Sequence, residues 1–250
     1  MTPSATEIVA ALGADPQLVG VDEFSTYPPA VTQLPRVGSF LKPDLEAIAR
    51  LRPSLVIVDD IHGGAAKQLG DAGIATIECP MHTLPDVKSA LGRIGERLGR
   101  GEAARAAVVA IDDAIDKAAA RHRGAGARPR VLAVIDHETG GVGGLVAAGP
   151  GSWIDELLAI LGAENAIAAT SVRYPTMSAE DVLHARPTII IDAAYGADAA
   201  QPLAAWRTLG DVPAVRDGRV IVMKEPYLLA PSPRVAAALA DLEAALYPPH

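Results

Sequence analysis

Aromatic residues are scarce, with two Phe, two Trp and five Tyr in 250 positions. The core must therefore be built from aliphatic side chains, and rings gathered outside it call for a reason. The single cysteine, Cys79, excludes an internal disulfide. It closes the apolar run 76–79, where a small thiol suits a buried strand. No apolar run approaches the roughly 18 residues of a membrane span, because polar residues, Gly or Pro interrupt every candidate. Positive charge is also short: 22 Lys and Arg against 30 Asp and Glu leave a formal charge of −8, which is no footprint for nucleic acid. The basic stretch Arg121, Arg123, Arg128 and Arg130 stands among Gly and Pro and reads as a solvated linker.

Catalytic motifs are missing as well. Gly149-Pro-Gly-Ser152-Trp153 lacks the Gly-x-Ser-x-Gly spacing of a nucleophile elbow. The glycine-rich stretch 140–144 has no Lys-Ser or Lys-Thr after it and reads as a strand connection, not a phosphate loop. No acid, base or nucleophile can be named, so an enzyme is not expected. The N-terminus offers neither a basic segment before an apolar stretch nor a lipid-acceptor cysteine, so no export signal is expected within this chain.

What is present is a folded α/β chain, half hydrophobic and 21% charged. Short β-branched runs at 18–21, 55–58, 76–77, 131–135, 188–191 and 219–222 alternate with helical patterns, the signature of parallel sheets covered by helices. The middle differs: 84–98 reads as one helix, Gly99-Arg100-Gly101 breaks it, and 102–121 carries apolar residues at helical spacing. At 1.5 Å per residue that second helix is about 30 Å long, enough to join two lobes as a stiff rod. The expected organisation is an N-terminal lobe (1–101), an interdomain helix (102–122) and a C-terminal lobe (123–250).

An internal repeat points to two lobes independently. Thr6-Glu-Ile-Val-Ala-Ala-Leu-Gly-Ala14 is echoed by Asp155-Glu-Leu-Leu-Ala-Ile-Leu-Gly-Ala163, each ending at a helix-stopping glycine. Glu46-Ala-Ile-Ala-Arg-Leu-Arg-Pro53 is echoed, in the same order, by Glu180-Asp-Val-Leu-His-Ala-Arg-Pro187. Ser4-Ala5-Thr6-Glu7 matches a capping box.

In open parallel sheets ligands bind beyond the carboxyl ends of the strands. The residues there are Asp22, Glu23 and Phe24; Asp59, Asp60 and His62; Asp136, His137 and Glu138; Asp192 and Tyr195; Lys224, Glu225 and Tyr227. Phe24, Tyr27, Phe40, Tyr174, Tyr195 and Tyr227 all fall in loops, where rings can meet a flat apolar ligand. Asp59-Asp60-Ile61-His62 and Asp136-His137-Glu138 have the residue types of metal ligands without a recognised spacing, so no metal site and no cofactor is assigned.

Pro3-Ser-Ala-Thr-Glu-Ile-Val-Ala-Ala-Leu-Gly13, Val19-Gly-Val-Asp22, Tyr27-Pro28, Val37-Gly38, Asp44-Leu-Glu46 and Arg52-Pro53-Ser-Leu-Val-Ile57 form an ordered set. Together with Tyr174-Pro175, Ser178-Ala-Glu180 and Ser232-Pro-Arg234, that set resembles the cobalamin and iron-chelate binding proteins of ABC importers over nearly the whole chain. The resemblance implies a helical-backbone periplasmic binding protein fold: two Rossmann-like lobes with parallel sheets, joined by a long rigid helix. It also implies a monomeric, extracytoplasmic binding protein without catalytic activity. A small corrinoid or metal-chelate ligand would lie between the lobes, and Glu46 and Glu180 would dock on the membrane permease.

The cobalamin binders resemble the chain most, since their aromatic cleft positions fall on Phe24, Phe40 and Tyr174. Asp59, His137 and Tyr227 are further ligand-binding candidates. Asp59 stands where another cleft aromatic of that group falls, and the apolar Leu228, Leu229 and Ala230 stand where it has acidic and basic contacts. Family members usually carry a strand before the Pro3-Ser4 position. A siderophore or haem is the rival ligand, with Tyr195, His62 or His137 as axial donor for haem. A cytoplasmic corrinoid- or metal-handling enzyme is the alternative of another class.

Overall fold

The computed structural model describes residues 1–124, 126, 128–137, 141–167, 170–193 and 200–248. The chain divides into two compact units, Met1–Asp112 with Ala230–Pro233, and Asp113–Leu229 with Arg234–His250. The division falls inside the long helix and not at its ends, and a four-residue return, 230–233, belongs to the first unit.

The first unit contains α1 (Pro3–Ala11), α2 (Leu45–Leu51), β1 (Val56–Val58), α3 (Ala65–Asp71), β2 (Thr76–Glu78), α4 (Leu84–Arg97) and the start of α5 (Gly101–His122). β1 and β2 pair in parallel. In α4 the buried Leu84, Val87, Ala90, Leu91 and Ile94 recur every three or four residues, the stripe that packs a helix. Cys79 is buried, and burial pushes its thiol pKa up. The expected strand at 18–21 is reduced to one bridge, Val21 with Arg36. An apolar groove of about 110 Å³, lined by Val19, Gly20 and Val21 and by Leu55, Val56 and Ile57, lies where a ladder to β1 would run.

The second unit continues α5 and adds β3 (Arg130–Asp136), β4 (Leu145–Ala147), α6 (Trp153–Ile160), β5 (Glu164–Asn165), β6 (Thr176–Met177), α7 (Ala179–Ala185) and β7 (Ile189–Asp192). It ends with α8 (Ala200–Trp206), α9 (Pro213–Arg216), β8 (Val220–Val222), α10 (Pro226–Leu229) and α11 (Val235–Leu246). Its sheet runs β6-β4-β3-β7-β8, with β5 also on β3. β3, β7 and β8 are parallel as expected, the unexpected short β5 also joins β3 in parallel, and β4 pairs antiparallel with both β3 and β6, so this sheet is mixed. The connection after β3 includes the glycine-rich segment, of which 141–144 are described. Leu132, Val134, Ile190, Val182 and Trp206 form the core of this unit.

The sequence repeat is also a repeat of local structure. Thr2 caps α1 by accepting from Ala5 N–H, Ser152 caps α6 by accepting from Asp155 N–H, and the two helices stop at Gly13 (φ 64°) and Gly162 (φ 71°). The capping box expected at Ser4 and Glu7 is therefore displaced by two residues: Ser4 and Glu7 lie inside α1, buried, and Ser232 donates to Glu7. Asp44 and Ser178 cap α2 and α7 by accepting from Ala47 and Asp181 N–H, and each seven-residue helix ends at a left-handed arginine, Arg52 or Arg186.

The basic stretch after α5 is not a linker. Arg121 and His122 both reach Glu243 on α11, with Arg121 Nε and Nη2 at 2.7 and 2.6 Å and His122 Nε2 at 2.7 Å. Arg128 donates to the Gly162 carbonyl, and Arg130 to the carbonyls of Ala185 and Ala166. These arginines tie α5 to α11 through a carboxylate, and β3 and the segment before it to their neighbours through backbone carbonyls, pairings that sequence spacing does not reveal.

Candidate functional site

In the first unit the aromatic pair is carried by two loops stitched together at their bases. Val37 N–H donates to Val21 O and Glu23 N–H to Gly38 O, both at 3.0 Å, and Arg36 Nη1 clamps the carbonyls of Asp22 and Ser25 at 2.9 and 2.8 Å. The buried Asp22 accepts from Phe24 N–H at 2.9 Å and from the Ser25 hydroxyl, which turns the chain so that Phe24 leaves the core. Gly38 holds φ 85°, and a Cβ there would lie 2.6 Å from the Lys42 carbonyl oxygen, so only glycine lets the two loops close. The result is an edge-to-face contact of Phe24 with Phe40, centroids 5.6 Å apart at 67°. Phe24 is 46% exposed, and Tyr27 and Leu41 are exposed beside the pair in sequence. A monomeric core has no use for such rings in water, and their geometry suits the face or edge of a flat apolar ligand.

Asp59 takes a different place. It is 3% exposed and caps a short 3-10 turn (Asp60–His62), in which His62 Nδ1 accepts from Asp59 N–H at 2.8 Å. His62 is thus a capping residue, and burial holds its pKa below the ordinary histidine value. The partner of the two aspartates is His82, which sequence reading passed over: its Nε2 lies 3.4 Å from Asp59 Oδ1 and 2.6 Å from Asp60 Oδ1. The carboxylates of Asp59 and Asp60 raise the His82 pKa to about 9 against the opposing effect of burial. His82 follows β2, so the same rule that selects residues beyond strand ends would have found it. Among the described residues these three form the one group of His and carboxylate donors within 4.8 Å of one another. A metal ion there would have to displace a proton held with a pKa of about 9. The cluster is an imidazolium between two carboxylates.

In the second unit Tyr174 is presented by a segment pinned on both sides. Gly149 N–H donates to Arg173 O at 2.8 Å, Ala147 N–H to Pro175 O at 3.0 Å, and Arg173 Nε to Gly151 O at 3.0 Å. Tyr174 is 37% exposed, and partial burial raises its phenol pKa. His137 and Tyr227 are committed within their own unit. His137 Nε2 lies 3.4 Å from the fully buried Asp192, which also accepts from Trp206 Nε1 at 2.8 Å. Tyr227 donates to Asp241, and the Arg234 guanidinium sits 4.4 Å from its ring centroid. Desolvation, then the Asp241 carboxylate, pushes the Tyr227 phenol pKa far up. Glu138 and Tyr195 lie outside the described residues.

Glu46 and Glu180 occupy the same second helical position of α2 and α7, and both are exposed. Glu46 is 91% exposed, with Arg50 at 3.9 Å as its loose neighbour. Among the described residues no helix is long and apolar enough to cross a membrane.

Two α/β units share one long helix, each with an exposed ring on a hydrogen-bonded loop and a surface glutamate at the matched helical position. The chain belongs to the periplasmic binding protein family, whose profile matches residues 1–227. It is 26% identical over 252 residues to the vitamin B12-binding protein of Pectobacterium atrosepticum, covering 98% of this chain and 88% of that one. Among solved structures, a periplasmic haem-binding protein from Pseudomonas aeruginosa is 32% identical with a TM-score of 0.86, covering 98% of this chain and 90% of that one. The apo periplasmic haem-binding protein of Roseiflexus sp. RS-1 is 29% identical with a TM-score of 0.87, covering 98% and 95%. These relatives are binding proteins, which sets aside the metal-handling enzyme alternative, and their likeness bears out the two-lobed α/β fold class.

Proposed function

We propose that this protein is the substrate-binding component of an ABC importer, working outside the cytoplasm, and that it captures cobalamin or a related corrinoid. The observation that carries the reading is the edge-to-face pair of exposed Phe24 and half-buried Phe40, on loops held by the Arg36 and Asp22 clamps. A corrinoid brings its own axial ligands and asks the protein for apolar and stacking surface, which Phe24, Phe40 and Tyr174 supply. Asp59, His137 and Tyr227 each face a partner within their own unit, respectively His82, Asp192 and Asp241. The likeness to a vitamin B12-binding protein supports the same ligand class.

A haem reading is favoured by the two haem-binding structures and by the exposed phenol of Tyr174, since haem iron takes an axial donor such as Tyr or His.

Delivery uses Glu46 and Glu180, one exposed carboxylate on each unit, offered to basic groups of the membrane permease. Equilibrium dialysis with cyanocobalamin, haemin and a ferric siderophore tests the ligand. Retention of cyanocobalamin alone supports the corrinoid reading, retention of haemin alone replaces it with the haem reading, and retention of none refutes both.

A further inference from the structure

Among the described non-glycine residues only two take a positive φ, and they are equivalent in the repeat: Arg52 (φ 47°, ψ 53°) and Arg186 (φ 46°, ψ 51°). The left-handed region crowds Cβ of any L residue, and glycine is the usual occupant of this helix-ending position. Both arginines precede proline, both stand eight residues after a capping Asp44 or Ser178, and both are exposed. Neither side chain makes a hydrogen bond or ion pair with another described residue. A strained backbone that keeps a long cationic side chain twice, where glycine would relieve it, marks a side chain in use.

We infer that Arg52 and Arg186 are the second contact of a duplicated docking element, each working with the glutamate of its own helix. This rests on the proposed docking of Glu46 and Glu180 and deepens it. Each element offers an anion at the second helical position and a cation six residues later, about 9 Å along the axis. The partner it fits is a membrane protein of two equivalent subunits. Each subunit would present a basic group to the glutamate and a carboxylate or paired carbonyls to the guanidinium, which favours planar, forked recognition.

The test uses the full chain and the host's own importer membrane complex in nanodiscs. The double variant R52G/R186G removes both side chains and relieves the backbone. Its melting temperature should equal or exceed that of the parent, while its dissociation constant for the membrane complex rises at least tenfold. R52K/R186K keeps the charge without the fork and should fall between the two. If E46A/E180A weakens docking and R52G/R186G does not, the inference fails and the glutamate docking survives. If neither pair weakens docking, both fail together. If R52G/R186G lowers the melting temperature, the arginines hold their own units together and the inference is overturned.

Discussion

His82→Gln removes the one cation between Asp59 and Asp60 and leaves a buried carboxylate beside a half-exposed one. The His82 pKa rises from 6.5 to about 9 in the folded protein. A raised folded value means that the stabilisation is fully present below about pH 6.5 and is lost as pH climbs through about 9. At about 1.4 kcal/mol per pH unit that rise corresponds to roughly 3 kcal/mol, and solvent screening at Asp60 reduces the expected net to about 1 to 2 kcal/mol. Near pH 7 the variant should therefore melt about 2 to 8 °C lower than the parent. The decisive assay is urea unfolding by circular dichroism at pH 6.5 and pH 9.5. Comparing parent with variant cancels every other titrating group, the buried Cys79 thiol among them. The parent should lose about 1 to 2 kcal/mol more than the variant across that interval. Parallel losses in the two proteins would show that His82 carries no charge between the aspartates.

Three further outcomes are expected. Phe24→Ala and Tyr174→Ala should each weaken cyanocobalamin binding by about 1 to 3 kcal/mol, read by fluorescence quenching, as for a lost aromatic anchor; equal affinities would place the ligand elsewhere. Glu46→Ala with Glu180→Ala should leave cyanocobalamin affinity within about threefold, below roughly 0.7 kcal/mol, while abolishing uptake into proteoliposomes; normal uptake would remove the docking role. Trp206→Phe shrinks a fully buried ring and strips the fully buried Asp192 of its 2.8 Å donor. It should cost at least about 1.5 kcal/mol in urea unfolding, and an unchanged midpoint would mean that the Trp206 donor adds nothing to stability.

Local signals were readable before any coordinates, and long-range pairings were not. The Gly13 and Gly162 stops and the Arg-Pro steps at 52–53 and 186–187 are punctuation within a few residues, so the repeat stood out and proved structural. Five of the six runs read as strands recur in parallel ladders because β-branched runs bounded by turns leave little else to form. The antiparallel β4 and β6 were hidden by their length, three and two residues, too short for any alternation to register. Thr2 displaced Ser4 as the cap because both positions carry a hydroxyl before an apolar run, and Pro3 at the first helical position decides between them. At the candidate site, Phe24, Phe40 and Tyr174 were visible as rings outside apolar runs. The Arg36 clamp, the His82 bridge and the Trp206 bond to Asp192 join residues 11 to 23 positions apart, and no periodicity encodes such pairs.

If this binding protein takes a corrinoid on aromatic surface, isothermal calorimetry with cyanocobalamin should give saturable heat with one site per chain, weakened in Phe24→Ala. A matching rise in melting temperature should accompany it, since a ligand that binds only the folded state stabilises it by mass action. No heat and no thermal shift with cyanocobalamin, beside tight one-to-one binding of haemin under the same conditions, would contradict corrinoid capture.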